Sequence, residues 1–194
     1  MSTDERLRHG WPAALKRELR TDHAGEAGAV MIYRGVLAVA RDDTLRAFAQ
    51  HHLETESRHL ALIEEVVPPS GRSRLLPLWR VAGWLTGALP ACFGPRTVYA
   101  TIESVETFVD THYAAQLALI DALAPGAEPP VRASLAELRA LLAACREDEL
   151  VHRDDARARR AAAPRAGLLA ALTAGWTWVV GAGSAGAVRV SRWV

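Results

Sequence analysis

Several things are scarce in this 194-residue chain, and each scarcity closes off a class of protein. There are two cysteines, Cys92 and Cys145, far apart and without CxxC spacing, so neither a disulfide framework nor a cysteine zinc site is expected. A reducing compartment is the expectation. Lys and Arg number 23 against 22 Asp and Glu, a net charge of +1 with no long basic tract. That balance leaves no electrostatic footprint for nucleic acid. The opening MSTDERLRHG lacks the apolar core of a secretory signal, which points to the cytosol or its membrane face. No stretch alternates apolar and polar residues at the strand period, and no GxGxxG follows a strand to hold a nicotinamide or flavin. What remains abundant is Ala and Leu within a half-apolar composition, enough for one sizeable core and an all-α fold.

Apolar positions recur at three and four residues over 12–41 and 44–66, two helices joined by a short RDD turn. VPPSGRSR ends the second, because two prolines and a glycine cannot continue it. A second helical pair spans 96–122 and 131–159, separated by the turn-rich APGAEPP. Two apolar, Trp-bearing appendages complete the chain: 75–95, interrupted by Pro77, Arg80 and Pro90, and the uncharged run 166–188. The expectation is one domain, a four-helix bundle with two apolar additions.

Four ionisable residues or pairs fall in stripes that should face the core. Leu45, Ala49, His52, Glu56, His59, Ile63 and Val66 trace one helix face; Leu135, Leu138, Leu142, Cys145, Glu149, His152 and Ala156 trace another. Each contains Glu-x-x-His, and i and i+3 lie about 60° apart around a helix, so one ion could touch both side chains. Glu26 lies with Val30, Tyr33 and Leu37, and Glu106 with Tyr99, Ile102, Val109 and Tyr113. A single ExxH is ordinarily a solvated pair. Four such elements in the order Glu, ExxH, Glu, ExxH, one per long helix, point instead to a metal centre. Buried carboxylates need neutralising. Two divalent cations balance four carboxylates while both imidazoles stay neutral. A thiolate-free, carboxylate-rich donor set suits iron or manganese better than structural zinc, and this arrangement is that of the di-iron and di-manganese bundles.

The stretches LRTDHAGEAGAVMIYRG (19–35), HHLETESRHL (51–60), LLPLWRVAGWLTGAL (75–89), VETFVDTHY (105–113) and CREDELVH (145–152) closely resemble the demethoxyubiquinone hydroxylase family, from about residue 12 onward. That resemblance implies a ferritin-like di-iron bundle, bound peripherally at the cytoplasmic face of the membrane, that hydroxylates the ring of a polyprenylated demethoxyubiquinol with O2. It implies Glu26, Glu56, His59, Glu106, Glu149 and His152 as ligands of two iron ions. Glu56 and Glu149 bridge; Glu26 with His59 and Glu106 with His152 complete the two sites. Glu103, one turn from Glu106, is the alternative. Thr107 stands where the family more usually has a second Glu. His23 and His112 match family motif positions, while His9, His51 and His52 have no assigned task.

Asp22, Asp110, Asp148 and Asp155 are candidate partners for the histidines' outer N–H groups. His112, Tyr33 and Tyr113 are candidates to line the site. NADH is the external reductant implied by the family, and a homodimer or a lipid-binding accessory protein is the implied partner. The segment 75–95 reads as interfacial. The run 166–188 is long enough to cross a bilayer, but its Ala and Gly content makes insertion weak and the resemblance implies that it packs on the bundle. RDDARARR (153–160) either meets anionic lipid or complements a helix C-terminus. A ferritin-like iron-binding protein without an organic substrate is the rival reading.

Overall fold

A computed structural model describes residues 10–163 and 167–193, with the side chains of 167–172 left undescribed. His9 and Ala166 therefore lie outside the described residues. Among those residues the structure is entirely helical, as expected: α1 Ala13–Val39, α2 Asp43–Val66, α3 Leu76–Ala91, α4 Pro95–Leu123, α5 Pro129–Ala162 and α6 Gly167–Ser191, with 3-10 turns at Pro69–Gly71 and Ala124–Gly126.

Local chemistry sets the ends. Asp42 caps α2 by accepting from the Leu45 N–H at 2.7 Å. Pro68 and Pro69 follow its last turn. Gly94, at φ 98°, turns the chain into Pro95 at the start of α4, a backbone angle that side chains with a Cβ rarely adopt. The prolines expected to interrupt 75–95 do not break the helix within it: α3 is continuous over Leu76–Ala91. Pro77 occupies its first turn, where the missing N–H has no helical partner to lose, and Pro90 falls at the last turn.

Helices α1, α2, α4 and α5 form the bundle, and the core splits into two apolar layers. One holds Tyr33, Val36, Leu45, Phe48, Tyr99 and Ile102. The other holds Leu15, Leu19, Ile63, Tyr113, Leu135 and Leu142. On each of the four helices the predicted ligands fall between these layers, so a polar storey is sandwiched inside an apolar stack.

α3 and α6 pack on the outside. α3 approaches α1 backbone to backbone: a Cβ on Gly87 would come within 1.9 Å of Ile32 O, one on Gly83 within 2.4 Å of Gly28 O, and one on Gly35 within 2.2 Å of Trp84 O. α6 lies along α4, where Trp176 Nε1 donates to Thr101 Oγ1 at 3.0 Å and Ser104 Oγ donates to Thr177 O at 3.2 Å. Its end is tied to α1 by the Arg192–Glu18 ion pair at 2.8 Å. Among the described residues no helix is long and apolar enough to cross a membrane.

Gly87→Ala should destabilise the fold by about 1–3 kcal/mol through overpacking, lowering the thermal midpoint by roughly 2–4 °C per kcal/mol. Gly126→Ala, whose added Cβ meets nothing within 4 Å, should leave the midpoint nearly unchanged in the same scan.

Candidate metal centre

Helical periodicity turns six side chains toward one another, and the structure brings all six together. Glu26, Glu56, Glu106, Glu149, His59 and His152 are all buried. They form two overlapping quartets, Glu26–Glu56–His59–Glu149 and Glu56–Glu106–Glu149–His152, and in each quartet one potential donor atom per residue lies within 4.8 Å of the others. Glu56 and Glu149 belong to both. His59 Nδ1 is 3.0 Å from Glu149 Oε1 and 3.8 Å from Glu26 Oε2. His152 Nδ1 is 3.0 Å from Glu56 Oε1 and 3.4 Å from Glu149 Oε2.

Those close approaches are not a satisfied hydrogen-bond network. Glu26 Oε2, both Glu56 oxygens, Glu149 Oε2 and His152 Nδ1 are buried without an aligned partner. Leaving one buried polar group unsatisfied costs about 1–3 kcal/mol, and more when it is charged. Five such atoms converging on one small volume is the pattern expected of ligands to cations, and the donor set fits two divalent ions. Cys145, buried one turn before Glu149, does not compete as a thiolate, because burial and then Glu26 and Glu149 hold its thiol well above the usual range.

Protonation follows from the same crowding. Burial, then repulsion from Glu56 and Glu149, pushes Glu26 well above the ordinary carboxylate range. Burial and the same two neighbours do so for Glu106. Burial opposes ionisation of Glu149 as well, yet the imidazoles of His152 and His59 beside it prevail and hold it at about 2. For the histidines burial disfavours the cation, but Glu149 and its neighbouring carboxylates raise His59 to about 10 and His152 to about 9. Without metal the cluster neutralises itself with protons; cations must displace them.

The surrounding groups divide. Tyr113 donates to Glu26 Oε1 and Tyr33 donates to Glu106 Oε1 at 3.3 Å, so both predicted tyrosines touch the cluster. Of the four candidate aspartates only Asp148 serves a ligand candidate, at 3.0 Å from His59 Nε2. Asp155 instead pairs with His52 at 3.1 Å, Asp22 with His112 at 3.0 Å and with Gln116, and Asp110 with Arg146 and Arg153. Glu103, the alternative to Glu106, points away to Arg157 and Arg160. Thr107 is exposed and bonds only back to Glu103 O within its own helix. His23 is buried and reaches Glu64 at 3.3 Å.

His52, to which the sequence assigned no task, is buried against His152 with ring centroids 4.2 Å apart and stacks on Tyr33. Its place in the apolar stripe one turn before Glu56 is the signal that marks it. A cavity of about 410 Å³ between α1, α3, α4 and α6 has Gly28, Trp79, Val109 and Val180 in its walls, with Glu26, Glu56, Glu106 and Glu149 at its inner end.

Fold and site together define a four-helix bundle whose buried carboxylates and imidazoles are arranged for a two-metal centre. The chain belongs to the Ubiquinone biosynthesis protein COQ7 family, whose profile matches residues 13–191. It is 40% identical over 147 residues to the 3-demethoxyubiquinol 3-hydroxylase of Rhodospirillum rubrum, covering 74% of this chain and 64% of that protein. It is 34% identical over 145 residues to the human NADPH-dependent 3-demethoxyubiquinone 3-hydroxylase, covering 73% and 63% respectively. The Caenorhabditis elegans protein of the same name matches at 26% over 182 residues, 93% of this chain and 90% of the relative. The chain thus spans a little under two thirds of the length of the bacterial and human relatives.

Two outcomes test the centre. Loading with divalent metal should release on the order of four protons per pair of ions at neutral pH, two from the imidazoles and two from Glu26 and Glu106, all of which must lose them to ligate. Since the metal-free His59 and His152 titrate near 10 and 9, affinity should rise with pH between 6 and 8; calorimetry in buffers of different ionisation enthalpy reads both. Asp148→Asn should weaken metal binding or turnover about 10–100-fold by loosening His59.

Proposed function

We propose that this chain is a di-iron monooxygenase that hydroxylates the ring of a polyprenylated demethoxyubiquinol with O2. The observation that carries the proposal is the apolar cavity ending on the carboxylates shared by the two quartets. A store of iron without an organic substrate has no use for such a cavity. The relatives' names, 3-demethoxyubiquinol 3-hydroxylase among them, supply the substrate class.

In this reading Glu26 and His59 would hold one iron and Glu106 and His152 the other, with Glu56 and Glu149, common to both quartets, shared between them. Carboxylate and imidazole donors without thiolate favour iron over structural zinc. The bound irons supply the redox chemistry that activates O2 for insertion into the ring. The chain's own residues do the rest. Tyr33 and Tyr113 fix Glu106 and Glu26 by donating to one oxygen of each. The walls formed by α1, α3, α4 and α6 exclude water and aim the ring at the centre. His112, held on Asp22, lines the same cavity and offers a polar contact to a ring oxygen. Reducing equivalents come from an external nicotinamide cofactor, NADH by the family resemblance; NADPH stands in the names of the human and nematode relatives.

The polyprenyl tail requires a bilayer. Leu78, Val81, Leu85, Leu89 and Phe93 are exposed on and just after α3, and Trp178 and Val179 on α6. Neither helix is a spanning segment among the described residues. This apolar rim suits peripheral attachment at the cytoplasmic face of the inner membrane, with a homodimer or a lipid-binding accessory protein as further partners on the same rim.

The test is anaerobic loading with ferrous iron, followed by O2 and a short-tailed demethoxyubiquinol, with mass spectrometry of the product. One added oxygen per turnover is expected, and Glu56→Ala should lose both turnover and stoichiometric iron. Iron uptake without product would favour the storage reading, and a Glu56→Ala protein that kept both ions would remove the bridging role.

A further inference from the structure

A second cavity, of about 360 Å³, opens beside the α4–α6 seam and shares no lining residue with the apolar one. Its walls are of mixed character, with Arg96, Glu103, Ser104, Arg160 and Thr177 among them. Arg96 donates to Arg160 O and, at 2.9 Å, to Ala163 O, closing the last carbonyls of α5. Among the described residues no carboxylate pairs with it. Glu103 serves two partners, Arg160 Nε at 2.6 Å and Arg157 Nε at 3.0 Å, and Arg157 also lies 3.7 Å from Asp154. Asp154 is shared with Arg153 at 3.0 Å, so no described carboxylate is left to neutralise Arg96.

A guanidinium carries five N–H donors. Arg96 is held through Nη1 and Arg160 through Nε, so both keep a face for a ligand. Planar forks of this kind suit an anion with several acceptor oxygens, above all phosphate. The surroundings choose between sources of phosphate. Trp178, immediately after Thr177 in the cavity wall, is 75% exposed. α6 thus carries an exposed tryptophan within a turn of a cationic cavity. Membrane-interface tryptophans sit at headgroup level, where arginines meet anionic lipid.

We propose that the Arg96–Arg160 cavity binds phosphate, and that the phosphate is that of an anionic lipid headgroup at the bilayer surface on which α6 rests. The inference builds on the membrane attachment proposed above but is tested separately from it: neutral vesicles report the apolar rim, and anionic preference reports the cavity.

The experiment uses the metal-loaded full chain in flotation with vesicles of phosphatidylcholine alone or with added phosphatidic acid, alongside thermal unfolding with inorganic phosphate. The wild type should bind the anionic vesicles more tightly than the neutral ones. Arg160→Gln should weaken anionic binding about fivefold without changing neutral binding. It leaves the Arg96 contacts in place, because those go to the backbone carbonyl of residue 160. Arg139→Gln, which removes the same charge from an exposed pair with Asp121, should keep the preference. Arg96→Lys, which keeps the charge but not the fork, should lose part of it.

Equal losses in Arg160→Gln and Arg139→Gln would reduce the effect to bulk charge and overturn the site. Stabilisation by inorganic phosphate that Arg160→Gln abolishes, without any preference for anionic vesicles, would support a phosphate site and overturn the lipid source. No response to either probe would overturn both. Failure to bind even neutral vesicles would count against the membrane reading of the proposed function.

Discussion

Four carboxylates buried within a few ångströms of one another must be neutralised, and the rest of the structure is arranged around that demand. An isolated buried carboxylate is costly enough that it neutralises or finds a partner. Here one storey of the bundle carries all four, with apolar layers above and below. Those layers remove the water that would otherwise screen the charges. Protons can satisfy the cluster in part, as the raised Glu26, Glu106, His59 and His152 indicate. They leave oxygens of Glu56 and Glu149 orphaned, and these are the residues common to both quartets. Cations shared between two sites remove that defect.

The outer helices make the centre reachable from one side. α3 sits so close to α1 that Gly28, Gly35, Gly83 and Gly87 form the contact. Larger residues there would push α3 off and open the wall beside the carboxylates. α6 closes the same space from the α4 side, clasped at its end through Arg192 and Glu18. The oxygenase proposed above would need a dry, shaped approach and a surface on which a lipid tail can enter; the glycine contact and the exposed apolar rim would answer those two needs with the same pair of helices.

Much of this was legible in the sequence because a helix converts spacing directly into direction. Glu56 with His59, Glu149 with His152, and the single Glu26 and Glu106 could be placed inward from periodicity alone, and the structure brings them together. Pairings between helices were less accessible. Asp148, not Asp155, reaches a ligand candidate, because that choice depends on how α5 is rotated against α2, and spacing along one helix does not carry it. His52 stood in the right stripe, but its partner Asp155 is 103 residues away. The prolines of α3 read as interruptions until their positions at the two ends of one helix were seen. The apolar cavity arises from the lean of α3 and α6, which no local pattern encodes. The arginines of 153–160 read as meeting anionic lipid or complementing a helix C-terminus; all four face carboxylates, and the charge without a described carboxylate sits on Arg96.

The central claim is that the buried carboxylates hold two cations per chain. Elemental analysis of protein reconstituted with ferrous iron without oxygen, then freed of loosely bound metal, tests it most directly. The account predicts two irons per chain. A metal-free product, with the fold intact and the six side chains unchanged, would contradict it.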